Sequence, residues 1–248
     1  MIERPGDGDG AWFLSDGEDA RLIGHRGCAD QYPENTRLAV RQSAPHVDAI
    51  EIDVRRCGSG ELVAFHDELL DRLTGRPGAV CDTTWERLRE CTVLDSEQPV
   101  ARLSTLLEAV PADTAVNVEL KERGLEADAV EAAGCVDSAV LFLSFDSAVL
   151  RELRRVAPDA ARALIVATDE VDPIQRATEL GCVAVHPQWG IVDRPFVSDA
   201  HDAGLAVNAW TVAERAVAAD LVRIGVDGLI VDRWDVRGDG RNDPDDGA

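Results

Sequence analysis

A chain of 248 residues with 45% apolar side chains can form one large core or two small ones. Its 47 Asp and Glu against 25 Lys and Arg leave a net charge of −22, spread along the whole length, which argues against a nucleic-acid partner. No apolar run approaches the roughly 20 residues that span a bilayer. No basic-then-apolar leader opens the chain, and the six cysteines show neither CxxC pairing nor cysteine–histidine metal spacing, so the expectation is a soluble cytoplasmic protein with reduced thiols.

Acidic stretches at 1–18 and 234–248 read as flexible ends around a folded unit at 19–233. Within it, short aliphatic runs at 21–25, 49–54, 115–121, 139–145, 163–167, 182–186, 205–211 and 228–232 read as strands. Helix signals lie between most of them. Pro33 suits the first turn of a helix through 36–43, and 147–156 is amphipathic and stops before Pro158. Asp172-Pro173 opens a helix that ends at Gly181, Asp193 opens one that ends at Gly204, and 212–224 ends at Gly225. Eight such alternations predict parallel strands with crossover helices, closed into a (β/α)8 TIM-type barrel; an open doubly wound sheet is the alternative. After Val54 the chain turns at Gly58-Ser59-Gly60 and runs back through 61–66, as a hairpin does. Residues 67–110 then form a small insertion after the second strand, with capping-box candidates at Thr83/Glu86 and Thr105/Glu108.

Lys121 is the only lysine in the chain. In a strand, Asn117, Glu119 and Lys121 share one face and Val116, Val118 and Leu120 the other. A sequence that uses arginine everywhere else and keeps one lysine beside a carboxylate points to an ammonium with a task there. In a barrel the active site forms at the carboxyl ends of the strands. Those positions hold His25 and Arg26 after the first strand, Glu51 and Asp53 on the second, Glu119 and Lys121 on the third, and Trp210 near the end of the seventh, while His66 returns by the hairpin. Glu51, Asp53 and Glu119 make three hard oxygen donors, suited to one divalent cation, Mg²⁺ or Ca²⁺, rather than zinc. Arg26 and Lys121 can hold an anion beside it, and His25 and His66 can move protons near neutral pH. A cation, two basic side chains and two imidazoles are what displacement at an anionic phosphate ester requires. His186 reads equally as a substrate contact or a packed side chain, and His46 and His201 as surface groups.

These residues sit in an ordered set of strings: Gly24-His25-Arg26-Gly27 with Pro33-Glu34-Asn35-Thr36, Glu51-Ile52-Asp53-Val54 with Phe65-His66-Asp67, Arg72-Leu73-Thr74-Gly75, and Glu119-Leu120-Lys121. Ser144-Phe145, Trp210-Thr211-Val212 and Gly225-Val226-Asp227-Gly228, ending at Asp232, follow. Together they resemble the glycerophosphodiester phosphodiesterase family over residues 22–232. The resemblance implies a barrel that cleaves glycerophosphodiesters to glycerol phosphate and an alcohol with a divalent metal. It implies His25 and His66 as the acid/base pair, Glu51, Asp53 and Glu119 as metal ligands, and Arg26 and Lys121 on phosphate. Three positions depart from the family pattern: Ser59 before Gly60 in place of Asp, Ala213 in place of Asn, and Ser104 in place of Pro. The nucleophile stays open between water and the glycerol 2-hydroxyl. A lysophospholipase-D-like or phosphoinositide-cleaving relative, with an apolar mouth built from 67–110, is the rival within the enzyme class. A non-catalytic metal- or anion-binding barrel is the rival outside it, and a glycosidase leaves Lys121 and both histidines unexplained. Dispersed acid with almost no lysine further resembles a halophile-type member, because at about 1 M salt the Debye length of ~3 Å screens surface self-repulsion.

Overall fold

In the computed structural model, which describes residues 20–167 and 171–237, the strands are β1 (Arg21–Gly24), β2 (Ala49–Arg56), β3 (Leu62–Ala64), β4 (Ala115–Leu120), β5 (Val140–Ser144), β6 (Arg162–Val166), β7 (Ala184–Pro187), β8 (Ala206–Ala209) and β9 (Gly228–Val231). All but β3 are parallel, in the order β1-β9-β8-β7-β6-β5-β4-β2, and β1 pairs with β2 to close the barrel. The open doubly wound alternative is thereby excluded. β3 pairs antiparallel with the end of β2, Val54 opposite Ala64, which is the expected hairpin.

The helices are α1 (Arg37–Ser43), α2 (Asp71–Thr74), α3 (Trp85–Leu88), α4 (Leu103–Leu107), α5 (Glu126–Ala133), α6 (Ser147–Val156), α7 (Pro173–Glu179), α8 (Arg194–Asp202) and α9 (Arg215–Ile224). Strand alternation sorts the core. Ile50, Ile52 and Val54 of β2 and Val116, Val118 and Leu120 of β4 pack outward with Leu103, Leu106 and Leu107 of α4. A second outer layer joins Leu164, Val185, Val207 and Leu229 to Ala177, Val197 and Leu221 of the later helices. Each fully buried Leu or Val there contributes about 1.5–3 kcal/mol relative to exposure. The intervening residues face inward. On β5 and β6 they are apolar, Leu141, Leu143, Ala163 and Ile165. On β2 and β4 they are Glu51, Asp53, Asn117 and Glu119, all buried. The barrel interior is therefore greasy on one side and charged on the other.

Several boundaries differ from expectation. α1 begins at Arg37 with Thr36 as its cap, and Thr36 Oγ1 donates to the Pro33 carbonyl at 2.7 Å, so Pro33 closes the preceding loop rather than opening the helix. Neither capping box forms: Thr83 Oγ1 donates back to Ala79 O at 2.8 Å, and Thr105 lies inside α4. α9 starts at Arg215, not 212, because the Val212 amide is held by Ile230 O at 2.9 Å. The stretch 67–110 is not wholly an insertion, since α4 packs as the crossover helix between β2 and β4. The inserted part has its own small core of Phe65, Leu70, Leu73, Leu88 and Val93. Residues 234–237, expected to belong to a flexible tail, are folded. Residues Trp234–Arg237 form a 3₁₀ turn, with Val236 buried and Trp234 stacked on His46 at 4.0 Å. Residues 1–18, and the tail beyond 237, lie outside the described residues.

Candidate active site

The carboxyl ends of β1, β2 and β4 and the return of β3 bring His25, Arg26, Glu51, His66, Glu119 and Lys121 to one pocket of about 140 Å³. Leu143, Phe145, Ile165, Trp210 and Ile230 form its opposite wall. Asp53 lies beneath, fully buried. The eight residues expected at the site are thus gathered at one end of the barrel.

The turn after β1 does much of the positioning. Arg26, Gly27 and Cys28 all take positive φ, at 52°, 77° and 67°. Two of these are non-glycine residues, a costly arrangement that persists only where surrounding bonds hold it. Gly27 has no substitute here, because a Cβ would stand 2.7 Å from Ala39 Cβ. The twist aims the Arg26 amide at Glu51 Oε2, 2.9 Å away, and its guanidinium at Glu34 (2.9 Å) and Asp53 (3.2 Å).

Glu51, Asp53 and Glu119 present oxygens that lie within 4.8 Å of one another. Burial and the neighbouring Asp53 charge push Glu51 up to about 8, and the same two causes raise Glu119. Burial also works against ionised Asp53, but Lys121 and Arg26 prevail and hold it low. Lys121 Nζ sits 2.6 Å from Glu119 Oε1 and 3.4 Å from Asp53 Oδ1. Among the described residues, buried Glu51 Oε1 and Asp53 Oδ1 have no hydrogen-bond donor. Buried acceptors are rarely left without a partner. Three converging carboxylates, two of them with an undonated oxygen, fit a hard divalent cation, which would relieve their mutual repulsion.

Each imidazole is held by a carboxylate. His25 Nδ1 lies 2.7 Å from Asp232 Oδ1, and His66 Nδ1 lies 2.6 Å from Asp67 Oδ1. Such a bond fixes ring orientation and leaves Nε2 for chemistry. Burial acts to lower His25, but the Asp232 bond and the Glu51 charge outweigh it and the pKa is raised. His66 goes down, chiefly by burial, against the pull of Asp53 and Asp67. Arg72 ties the scaffold together. It donates to Asp67 at 2.6 Å and to Glu34 at 2.7 Å, and Glu34 in turn holds Arg26. Asn35 donates to Asp53 Oδ2 at 2.8 Å.

On the apolar side, His186 is buried with its Nε2 2.9 Å from Asn208 Nδ2, and burial pushes its pKa down to about 3. Its carbonyl accepts from the Trp210 indole at 2.7 Å, and Phe145 meets Trp210 edge-on at 5.7 Å. Phe145 of this wall and Trp189, whose amide is held by Trp210 O at 2.9 Å, remain 40% exposed. The apolar wall of the mouth comes from the loops after β5 and β8, whereas the rival lysophospholipase-D-like reading needed one built from residues 67–110. His46 and His201 are exposed, and His201 pairs with Asp227 at 2.7 Å.

Sequence reasoning assigned no role to Asp67, Asp232, Glu34, Asn35 or Arg72. Asp67 directly follows His66 and was findable on that ground. Asp232 ended the last of the family strings, but at 207 positions from His25 nothing in the sequence marked it as that histidine's partner.

The sequence profile of the Glycerophosphoryl diester phosphodiesterase family matches residues 25–236. A glycerophosphodiester phosphodiesterase of Caldanaerobacter subterraneus subsp. tengcongensis is 28% identical over 226 residues, covering 85% of this chain and 93% of the relative. A glycerophosphodiester phosphodiesterase of Bacillus altitudinis is 27% identical over 230 residues, with 86% and 94% covered. Among solved structures, a phosphodiesterase of Oleispira antarctica in complex with the product sn-glycerol-3-phosphate superposes with a TM-score of 0.81 at 27% identity, over 91% of this chain and 96% of that one. With the barrel, the ordered motifs and the family profile in agreement over most of its length, this chain belongs to the glycerophosphodiester phosphodiesterase family and is a phosphoric diester hydrolase.

Proposed function

We propose that the protein hydrolyses glycerophosphodiesters to glycerol phosphate and an alcohol with a divalent cation, Mg²⁺ or Ca²⁺, held by Glu51, Asp53 and Glu119. The observation that carries this reading is the meeting of three buried carboxylates with two carboxylate-oriented imidazoles in one pocket. When bound, the cation would supply charge stabilisation to the phosphoryl oxygens. Arg26 and Lys121 bind and orient the phosphodiester. One imidazole removes a proton through Nε2 from the nucleophile, water or the glycerol 2-hydroxyl, and the other delivers one to the leaving alkoxide. Their pKa values are pushed in opposite directions, as an acid–base pair needs. Trp210, held by the His186 carbonyl, is a wall for the substrate. The glycerol phosphate bound to the Oleispira relative supports glycerol phosphate as the retained half.

A second reading is favoured by the Phe145–Trp210 pair and exposed Trp189. These suit a leaving group with an acyl chain, as in a lysophospholipase-D-like substrate. Incubating the metal-loaded protein in molar salt with matched glycerophosphodiesters and lysophospholipids, and identifying the alcohol released, tests both. Glycerol phosphate from small-headgroup diesters is expected. Release from lysophospholipids alone would overturn the first reading in favour of the second, and release from neither would overturn both.

The place of work we propose is a cytoplasm of high salt. Support comes from six free cysteines and a net charge of −22. Among the described residues, no helix is long and apolar enough to cross a membrane. An anionic diester approaching this surface meets repulsion that extends ~30 Å at 0.01 M salt and only ~3 Å at 1 M. KM is therefore expected to fall as potassium chloride rises, the reverse of the usual weakening of anion binding. Steady-state kinetics across a salt series check this, and a KM that climbs with salt contradicts it.

A further inference from the structure

Three arginines, Arg37, Arg89 and Arg102, come together on one face of this acidic chain. They line one groove of about 280 Å³ between α1, α3 and α4, and no Asp or Glu lines it with them. Among the described residues, none of the three guanidinium groups lies within 4.0 Å of a carboxylate or donates a hydrogen bond. Glu61, whose charge reaches Arg102, is already taken by Ser59 at 2.5 Å and by Cys57.

The groove is built rather than incidental. Arg102 lies 5.0 Å from the centroid of the Trp85 ring, so the indole occupies its face and leaves its N–H edge free. Trp85 is itself fixed, with its amide on Ser59 Oγ at 2.8 Å and its ring against the core of the inserted segment. Buried Val100 and Ala101 line the groove, and the Thr105 hydroxyl adds a neutral polar group. Three like charges around one space repel unless an anion lies among them.

We propose that this groove is a second anion site, distinct from the pocket at the barrel mouth, and that it takes a phosphomonoester dianion. A carboxylate offers one plane, which a single guanidinium fork satisfies. A tetrahedral dianion has three equivalent oxygens and accepts from several forks at once. The space also exceeds a bare phosphate and leaves room for an organic substituent against Trp85.

The test is isothermal titration of the full chain with inorganic phosphate and with glycerol 3-phosphate at fixed ionic strength. Wild type, R89Q/R102Q and the single exposed change R89E are compared, the last covering the case in which the double variant does not fold. Two sites per chain are expected in the wild type. The variants should lose one of them, with at least about tenfold weaker binding for each arginine removed. Their kcat/KM on a diester and their melting temperature should be unchanged. Identical isotherms for wild type and variants, or one site in the wild type, would overturn the proposal. A poly-aspartate peptide that displaces phosphate at lower concentration than glycerol 3-phosphate does would also overturn it, by making the occupant an acidic polypeptide.

Discussion

Exhaustive chelation is expected to abolish turnover, and adding back Mg²⁺ or Ca²⁺ to restore it. The reason lies in the electrostatics of β2 and β4. Three buried carboxylates converge within 4.8 Å, and Lys121 and Arg26 are the permanent positive charges beside them among the described residues. Burial and Asp53 hold Glu51 near 8, so without a further cation it stays protonated at neutral pH. Cation binding must then displace that proton, and metal affinity should rise with pH up to about that value. A second readout does not depend on catalysis. A ligand at 100 times its Kd stabilises the fold by about 2.7 kcal/mol. At about 2–4 °C per kcal/mol for a chain of this size, the melting temperature should rise by roughly 5–11 °C on metal addition. Glu119→Gln removes one donor charge and should lose most of that increment while folding normally. Full activity in the chelated protein, with a melting temperature indifferent to the metal, would remove the cation from the reaction.

The parts of this site that could be read in advance follow strand periodicity. Glu51 and Asp53, and Glu119 and Lys121, sit two apart on strands whose other residues are aliphatic, so a period of two puts each pair on the inner face. The barrel followed from the same alternation, repeated with helices between. What stayed hidden depends on long-range closure or on backbone geometry without a residue signature. Asp232 reaches His25 only because β9 lies beside β1, and in a chain with 47 acids it looks like one more surface charge. Arg26 at φ 52° carries no mark of its left-handed conformation, since arginine rarely adopts it. Arg72, in the inserted segment, is joined to the site by Glu34, 38 positions earlier. The capping boxes failed for a local reason: Thr-x-x-Glu spacing recurs by chance, and in both cases the chain had already committed those hydroxyls or residues to an adjacent turn.

His25→Ala and His66→Ala should each lower kcat by about 10²–10⁴-fold, the usual contribution of a positioned acid or base. Both rings line the pocket, and both are oriented through Nδ1 by an aspartate, an arrangement that a merely packed histidine does not need. The two losses should differ in kind. A proton donor matters when the leaving alkoxide is a strong base and matters little when it is a nitrophenolate. A base that activates the nucleophile matters for both substrates. One of the two variants should therefore recover most of its rate on a nitrophenyl glycerophosphodiester, and the other should stay impaired. Phosphate affinity, measured by product inhibition, should change little in either, since Arg26 and Lys121 remain. If both variants recover, or neither does, the division of labour is wrong. Should either variant keep wild-type turnover on an alkyl diester, that histidine belongs to the scaffold, as buried His186 does with its bond to Asn208.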